Sequence, residues 1–402
     1  MTGLEKITRK IASHFAFYRG KLLPRPILSL SKEGKILEIS QYGDPDGIAY
    51  AEFYSGLLVP GLINAHSHLE LSYLQGAIPP GCGYTGFAAG MSSVRDEFPD
   101  AERLYALSAA DAALWKQGVS AVADISNGAT TFAAKSRSRI YYHTFLELFG
   151  LNVRLDASLG PVGADAERRG LVYSATPHSL YSLEDGPLLE AVNGFSFKDV
   201  AVYGSEAGKK PPLSVHFMES PGEADLFGRH GEMWNWYGER GWKPSFPGRY
   251  SSPADRLTAL VPPERDIMLI HNCCITEEDM DKIIGHFTGR VTWVLCPRSN
   301  KYITGLTPPV QLLRRRGANI AVGTDSLASN HSLDMVEELK QFTGIPLEEL
   351  LRWATANGAE ALGVGNSLGS FETGTKPGVT LITGIDWERK TLTPQSRSER
   401  II

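Results

Sequence analysis

Cysteine, clustered charge and long apolar runs are all scarce in this chain of 402 residues, and each shortage removes a class of explanation. Only four cysteines occur (Cys82, Cys273, Cys274 and Cys296), none in C-x-x-C spacing. That argues against a disulfide scaffold and favours a reducing, cytoplasmic setting. It also excludes the zinc-deaminase signature H-x-E followed by P-C-x-x-C. Lys and Arg number 40 against 45 Asp and Glu, a net charge of −5, with no long run of either sign. Nothing therefore draws the chain to nucleic acid or to an anionic membrane. No stretch is apolar for long enough to span a bilayer, and the opening "MTGLEKITRKIASHF" lacks the core of a signal peptide. Repeats and low-complexity tracts are also missing. What remains is chemistry on a small-molecule substrate.

What is present is an alternation. Short apolar runs interleave with helix-like stretches, the pattern of repeated βα units on a parallel sheet. "AERLYALSAADAALWKQG" carries apolar residues at three- and four-residue intervals and closes on Gly118, after which "VSAVAD" reads as a strand. With "GLINA", "IYYHTF", "GLVYSA", "PLSVHF", "DIMLI", "VTWVL" and "ANIAVG" the strand candidates suit an α/β fold, a (β/α)8 TIM barrel over residues 59–365. Residues 1–58 and 366–402 show short alternating segments with Gly and Asp turns, and are expected to pair into a small β-sandwich domain.

Polar residues fall where the apolar runs stop, which in such a barrel is the reactive face. In "VPGLINAHSHLELS", side chains two apart share a strand face, so His66 and His68 can reach one ion. Taken alone that spacing is weak evidence, and two hydrogen-bonded strand-end histidines are the commoner reading. His216 in "LSVHFMES", His271 in "IMLIHNCC" and Asp325 in "AVGTDSLASN" occupy later strand ends, though each alone reads as an ordinary polar terminus. Together, imidazoles and one carboxylate suit Zn²⁺ or Fe²⁺ with a position left open for water.

From "GLLVPGLINAHSH" to "GSFETG" the chain resembles the amidohydrolase superfamily, in its aminohydrolase or deaminase branch, which includes cytosine and guanine deaminases and chlorohydrolase-like proteins. The resemblance implies one divalent metal, zinc or iron, on His66, His68, His216 and Asp325. It further implies that His271 hydrogen-bonds the attacking water, that Glu219 shuttles the proton, and that His178 in "TPHSLY" touches substrate. Arg298 and Asn300 of "CPRSN" are expected as loop contacts. "HSHLELS" is similar to deaminases of aminodeoxyfutalosine, an adenine-bearing nucleoside, and such barrels are often homodimers. The residue types fit the reaction: a metal-lowered water supplies the nucleophile, Asp325 accepts its proton, and Glu219 protonates the ring and the departing amine.

Alternatives stay open at this level. A two-metal site bridged by a carboxylated lysine is disfavoured, because Lys198 is the only lysine between Lys135 and Lys209. A deacetylase-like site could recruit Glu147 of "TFLELFG" as a ligand and cleave an amide C–N bond, and an inactive scaffold of the same fold is a further possibility. Glu70 reads as a contact to sugar hydroxyls or a base edge, or as a salt-bridge partner. The aromatic insertion at 223–250, with Trp234, Trp236, Tyr237, Trp242 and Phe246, reads as a lid over a planar ring or as packing.

Overall fold

The computed structural model describes residues 6–43, 48–194 and 210–402, so Lys198 and Lys209 lie outside the described residues. Seven strands form one sheet: β1 (Arg9–Tyr18), β2 (Lys21–Pro24), β3 (Pro26–Leu30), β4 (Ile36–Gln41), β5 (Glu52–Pro60), and near the other end β14 (Val379–Asp386) and β15 (Thr391–Arg400). Their order is β15-β14-β5-β1-β3-β4, with β2 on β1. The antiparallel β14–β5 register, Val379 opposite Pro60 through Ile382 opposite Leu57, brings the two ends of the chain together as the patterning implies. Pairing is continuous through these seven strands, so the two ends of the chain share one sheet.

The remaining eight strands are parallel. Leu62–Ser67 (β6), Val119–Ser126 (β7), Tyr141–Leu148 (β8) and Val172–Pro177 (β9) make one sheet. Leu213–Phe217 (β10), Ile267–His271 (β11), Val291–Leu295 (β12) and Asn319–Val322 (β13) make the other. All eight coincide with apolar runs in the sequence. Their alternation explains the interior: Ile63, Ala65, Ala121, Ala123 and Ile125 share one buried cluster with Phe145, Met268, Ile270, Val294 and Ala321, so both sheets contribute to a single core. Helices fill the connections. Asp100–Lys116 has Asp100 and Glu102 in its first turn and Lys116 in its last, which complements the helix dipole, and buries Leu107, Ala110 and Leu114. Gly118, at φ 91°, follows it.

The two parallel sheets meet at both edges. At one, Ser179 bridges His216 in parallel and the His216 amide donates to the His178 carbonyl at 2.9 Å. At the other, Ser67 bridges Asp325, and the amides of Thr324 and Asp325 both donate to the His66 carbonyl at 3.0 Å. Gly323 makes the second seam possible: a Cβ there would stand 2.7 Å from His66 Cβ, 2.8 Å from its nitrogen and 2.9 Å from its oxygen. Two of those atoms are backbone and cannot swing aside. Gly323→Ala is therefore expected to destabilise the fold by about 1–3 kcal/mol, read as a lower denaturation midpoint. An unchanged midpoint would show that the seam gives way freely. Among the described residues, no helix is long and apolar enough to cross a membrane.

Candidate active site

Every imidazole singled out in the sequence arrives at the strand ends. His66 closes β6, His68 precedes the 3-10 turn Leu69–Leu74, His216 lies in β10, His271 ends β11 and Asp325 follows β13. All five are buried. His68 Nε2 lies 3.4 Å from His216 Nε2, and Asp325 Oδ1 lies 3.7 Å from His66 Nε2 and 3.6 Å from His68 Nε2. The ligating atoms of His66, His68 and Asp325 fall within 4.8 Å of one another, as do those of His66, His216 and His271.

These side chains are poorly satisfied by protein alone. Both ring nitrogens of His66 and Nδ1 of His68 are buried without a hydrogen-bond partner among the described residues. Leaving buried polar atoms unpaired is costly, so such a set calls for a further occupant. Burial first, then neighbouring imidazoles, holds His66 well below its ordinary range. His68 and His271 are brought down to about 3, chiefly by burial. Neutral imidazoles keep lone pairs for a cation. Asp325 goes the other way: burial favours its acid form but is outweighed by His68, His271 and the Ser299 hydroxyl, and the carboxylate is held low. Its Oδ2 accepts from Ser299 Oγ at 2.5 Å and Ser329 Oγ at 2.9 Å, which leaves Oδ1 facing the imidazoles. His66, His68 and Asp325, and the overlapping set His66, His216 and His271, are donor groups of the kind that fit a divalent ion.

Glu219, buried just beyond β10, is pushed well above the carboxylate range by burial and then by the charge of Asp325. Its Oε1 lies 3.7 Å from His271 Nε2. Glu223 clamps the turn, accepting the amides of Met218 at 2.9 Å and Glu219 at 2.7 Å. Backbone strain gathers here: Met218, His271, Asn272 and Asp325 all have positive φ, at 48°, 78°, 58° and 57°. Each such residue costs on the order of 1–3 kcal/mol and persists only where its surroundings enforce it.

Placement differs among the expected substrate contacts. His178 stacks on His216 with centroids 4.6 Å apart, its Nδ1 held by Ser179 at 3.0 Å and Ser182 at 3.1 Å. Nε2 is thus the atom left to meet a ligand. Asn300, expected at the substrate, is fully buried, and its Nδ2 lies 3.0 Å from His271 Nδ1. That contact fixes the orientation of the His271 ring, and an amide donating there would leave the ring proton on Nε2. Arg298 turns away to the Ser332 hydroxyl, 2.8 Å from Nη1. Glu70 accepts the Asn127 amide on both oxygens, at 3.1 and 3.2 Å, and burial brings it up to about 7. Trp234 packs half-buried against the main core. The insertion reaches the site through Tyr237 instead, whose hydroxyl donates to the Tyr181 carbonyl at 2.7 Å, while the Tyr181 hydroxyl donates to Tyr84 at 2.7 Å.

Sequence reasoning missed several supports. Asp124 accepts the Leu69 amide at 2.8 Å and pairs with Lys135 at 2.5 Å, both side chains fully buried. Lys135 also donates to Ser126 at 2.9 Å and Thr144 at 3.1 Å. The only signal was an Asp inside the apolar run "VSAVADIS", which needs a buried partner wherever it points. Lys135→Met strands the Asp124 carboxylate, and about 3–5 kcal/mol of stability is expected to go, seen as a lower urea midpoint. An unaltered midpoint would mean that the ion pair contributes nothing beyond an apolar substitute.

The amidohydrolase family profile matches residues 238–394. An adenosine deaminase of Helicobacter pylori is 26% identical over 357 residues, covering 83% of this chain and 81% of its own length. The solved structure of H. pylori aminofutalosine deaminase with methylthio-coformycin superposes with a TM-score of 0.76 at 24% identity, covering 93% of this chain and 92% of that one. A zinc-bound adenosine deaminase from Xanthomonas campestris gives a TM-score of 0.72 at 19% identity, covering 96% and 87%. At these identities the structural likeness speaks for the fold.

Proposed function

We propose that this chain, which carries an amidohydrolase family domain, is a one-metal hydrolytic deaminase whose substrate is an adenine-type nucleoside, the aminofutalosine class included. The reading takes residues 59–365 as a (β/α)8 barrel, with 1–58 and 366–402 as the companion domain. The observation that carries it is geometric: Asp325 Oδ1 lies 3.7 Å from His66 Nε2 and 3.6 Å from His68 Nε2, and Glu219 Oε1 lies 3.7 Å from His271 Nε2, so two carboxyls, one held below and the other raised above the ordinary range, flank one group of imidazoles. Two carboxyls whose surroundings drive them apart mark an acid and a base.

His66, His68, His216 and Asp325 would hold a zinc or iron ion, which when bound would supply water of lowered pKa. Asp325 would accept a proton from the attacking water as its oxygen adds to the ring carbon bearing the amino group. Glu219 would give its proton to the adjacent ring nitrogen, take up the hydroxyl proton of the added oxygen and pass it to the amine, which leaves as ammonia as the C–N bond breaks, and the proton held by Asp325 would then restore Glu219. His271, its proton on Nε2 by virtue of Asn300, holds the attacking oxygen. In this reading His178 Nε2 and Glu70 meet the rest of the substrate. Four unpaired cysteines support a reducing compartment.

Ammonia release from metal-loaded enzyme, compared across adenosine, 5′-substituted adenosines, guanine, cytosine and aminotriazines, tests the proposal. The 6-aminopurine nucleosides should be turned over fastest. Preference for cytosine or a triazine would remove the substrate class, and no ammonia from any of them would remove the reaction.

A further inference from the structure

Glu147 has no task in the reaction just described, yet it lies in the wall of the site. It is 4% exposed, and its Oε1 has no hydrogen-bond partner among the described residues. That oxygen stands 3.5 Å from His216 Nδ1, while Oε2 receives Asn127 Nδ2 at 2.9 Å. His216 Nδ1 also lies 3.0 Å from the His178 carbonyl. The other ring nitrogen, Nε2, is the one turned toward His68, at 3.4 Å. Glu147 thus approaches the edge of the imidazole opposite to the one that faces His68 and Asp325. An ion shared by His66, His68 and Asp325 meets His216 through Nε2, and a carboxylate behind Nδ1 cannot bind that ion by the same route.

We infer that Glu147 is a positioning residue: together with the His178 carbonyl it keeps the His216 proton on Nδ1, so that Nε2 presents its lone pair to the ion, and Asn127 holds Glu147 in place. This rests on the one-metal reading above. A ligating histidine commonly donates its second ring N–H to a carboxylate or carbonyl, which fixes tautomer and ring orientation and strengthens the ligand. Asn127 adds a mechanical link. Its backbone amide secures Glu70 on the turn that follows His68, and its side chain secures Glu147 behind His216. One residue at the end of β7 therefore braces the surroundings of two ligands that come from different sheets. The rival arrangement makes Glu147, His178 and His216, whose polar atoms also lie within 4.8 Å of one another, a second ion site.

Cobalt separates the two. Metal-free full-length protein is loaded with Co²⁺, and stoichiometry, affinity against a competing chelator and the visible spectrum are measured. Wild type should take up one Co²⁺ and His68→Ala should lose it, which tests the metal reading by itself. Glu147→Ala should keep the stoichiometry at one, weaken affinity by about 10–100-fold and shift the cobalt bands without loss of a ligand. Glu147→Gln should recover part of that affinity, because its amide oxygen still accepts from Nδ1–H. A change confined to general stability would leave the spectrum of the bound ion unmoved. Wild-type affinity and spectrum in Glu147→Ala would overturn the inference, as would two ions in wild type and one in the variant. Should Glu147→Ala fail to fold, Asn127→Ala decides: a weaker site with the same band shift supports the brace, and an unchanged site overturns it. Full cobalt occupancy in His68→Ala would instead bring down the metal reading, and the inference with it.

Discussion

Glu219→Gln is expected to retain its metal and its fold while kcat falls by roughly 10³-fold, within the 10²–10⁴ range for loss of a positioned proton donor. The substitution preserves volume and removes only the exchangeable proton. The turn that carries residue 219 stays anchored, because Glu223 holds backbone amides and not the replaced side chain. Substrate affinity, read as KM, should move little. Steady-state kinetics with elemental analysis on the same preparation checks both halves, and a rate within tenfold of wild type would transfer the proton-carrying role to another group.

His68→Ala should act on a different quantity. His68 Nε2 is the atom that approaches both His216 and Asp325, so its loss removes a corner of the proposed coordination and not an outer support. Metal affinity should drop by more than the about 10–100-fold that removal of an outer partner costs. Activity should follow occupancy and return in part at high metal concentration. His68 precedes the 3-10 turn, whose Leu69 amide is independently fixed by Asp124, so the backbone there is expected to hold. Metal content equal to wild type after dialysis would take His68 out of the ligand set.

Some of this was legible in the chain and some was not, for physical reasons. The parallel strands announced themselves because strands covered on both faces become continuous apolar runs that end abruptly in polar residues. Metal-ligand candidates were visible for the same reason, since His216 and His271 interrupt or end such runs. The last strand, Thr391–Arg400, escaped notice: "TLTPQSRSER" lies at the sheet edge, half of it in water, and carries almost no apolar signal. Glu147 was visible as a carboxylate at a strand end, but which edge of His216 it faces depends on ring orientation. Asn300 resembled a substrate contact by motif, and only the fold shows its amide spent on His271. Ser299, Ser329 and the Tyr84–Tyr181 pair act across distances in sequence that no local pattern encodes.

The seam beside Gly323 has a consequence for biosynthesis. Ser67 is separated from its partner Asp325 by 258 residues, so His66 and His68 emerge from the ribosome long before Asp325 exists. At ordinary elongation rates that interval is on the order of ten to fifty seconds. On the proposed ligand set, His66 and His68 stand without their carboxylate partner through that interval, and metal loading would await the closing strand.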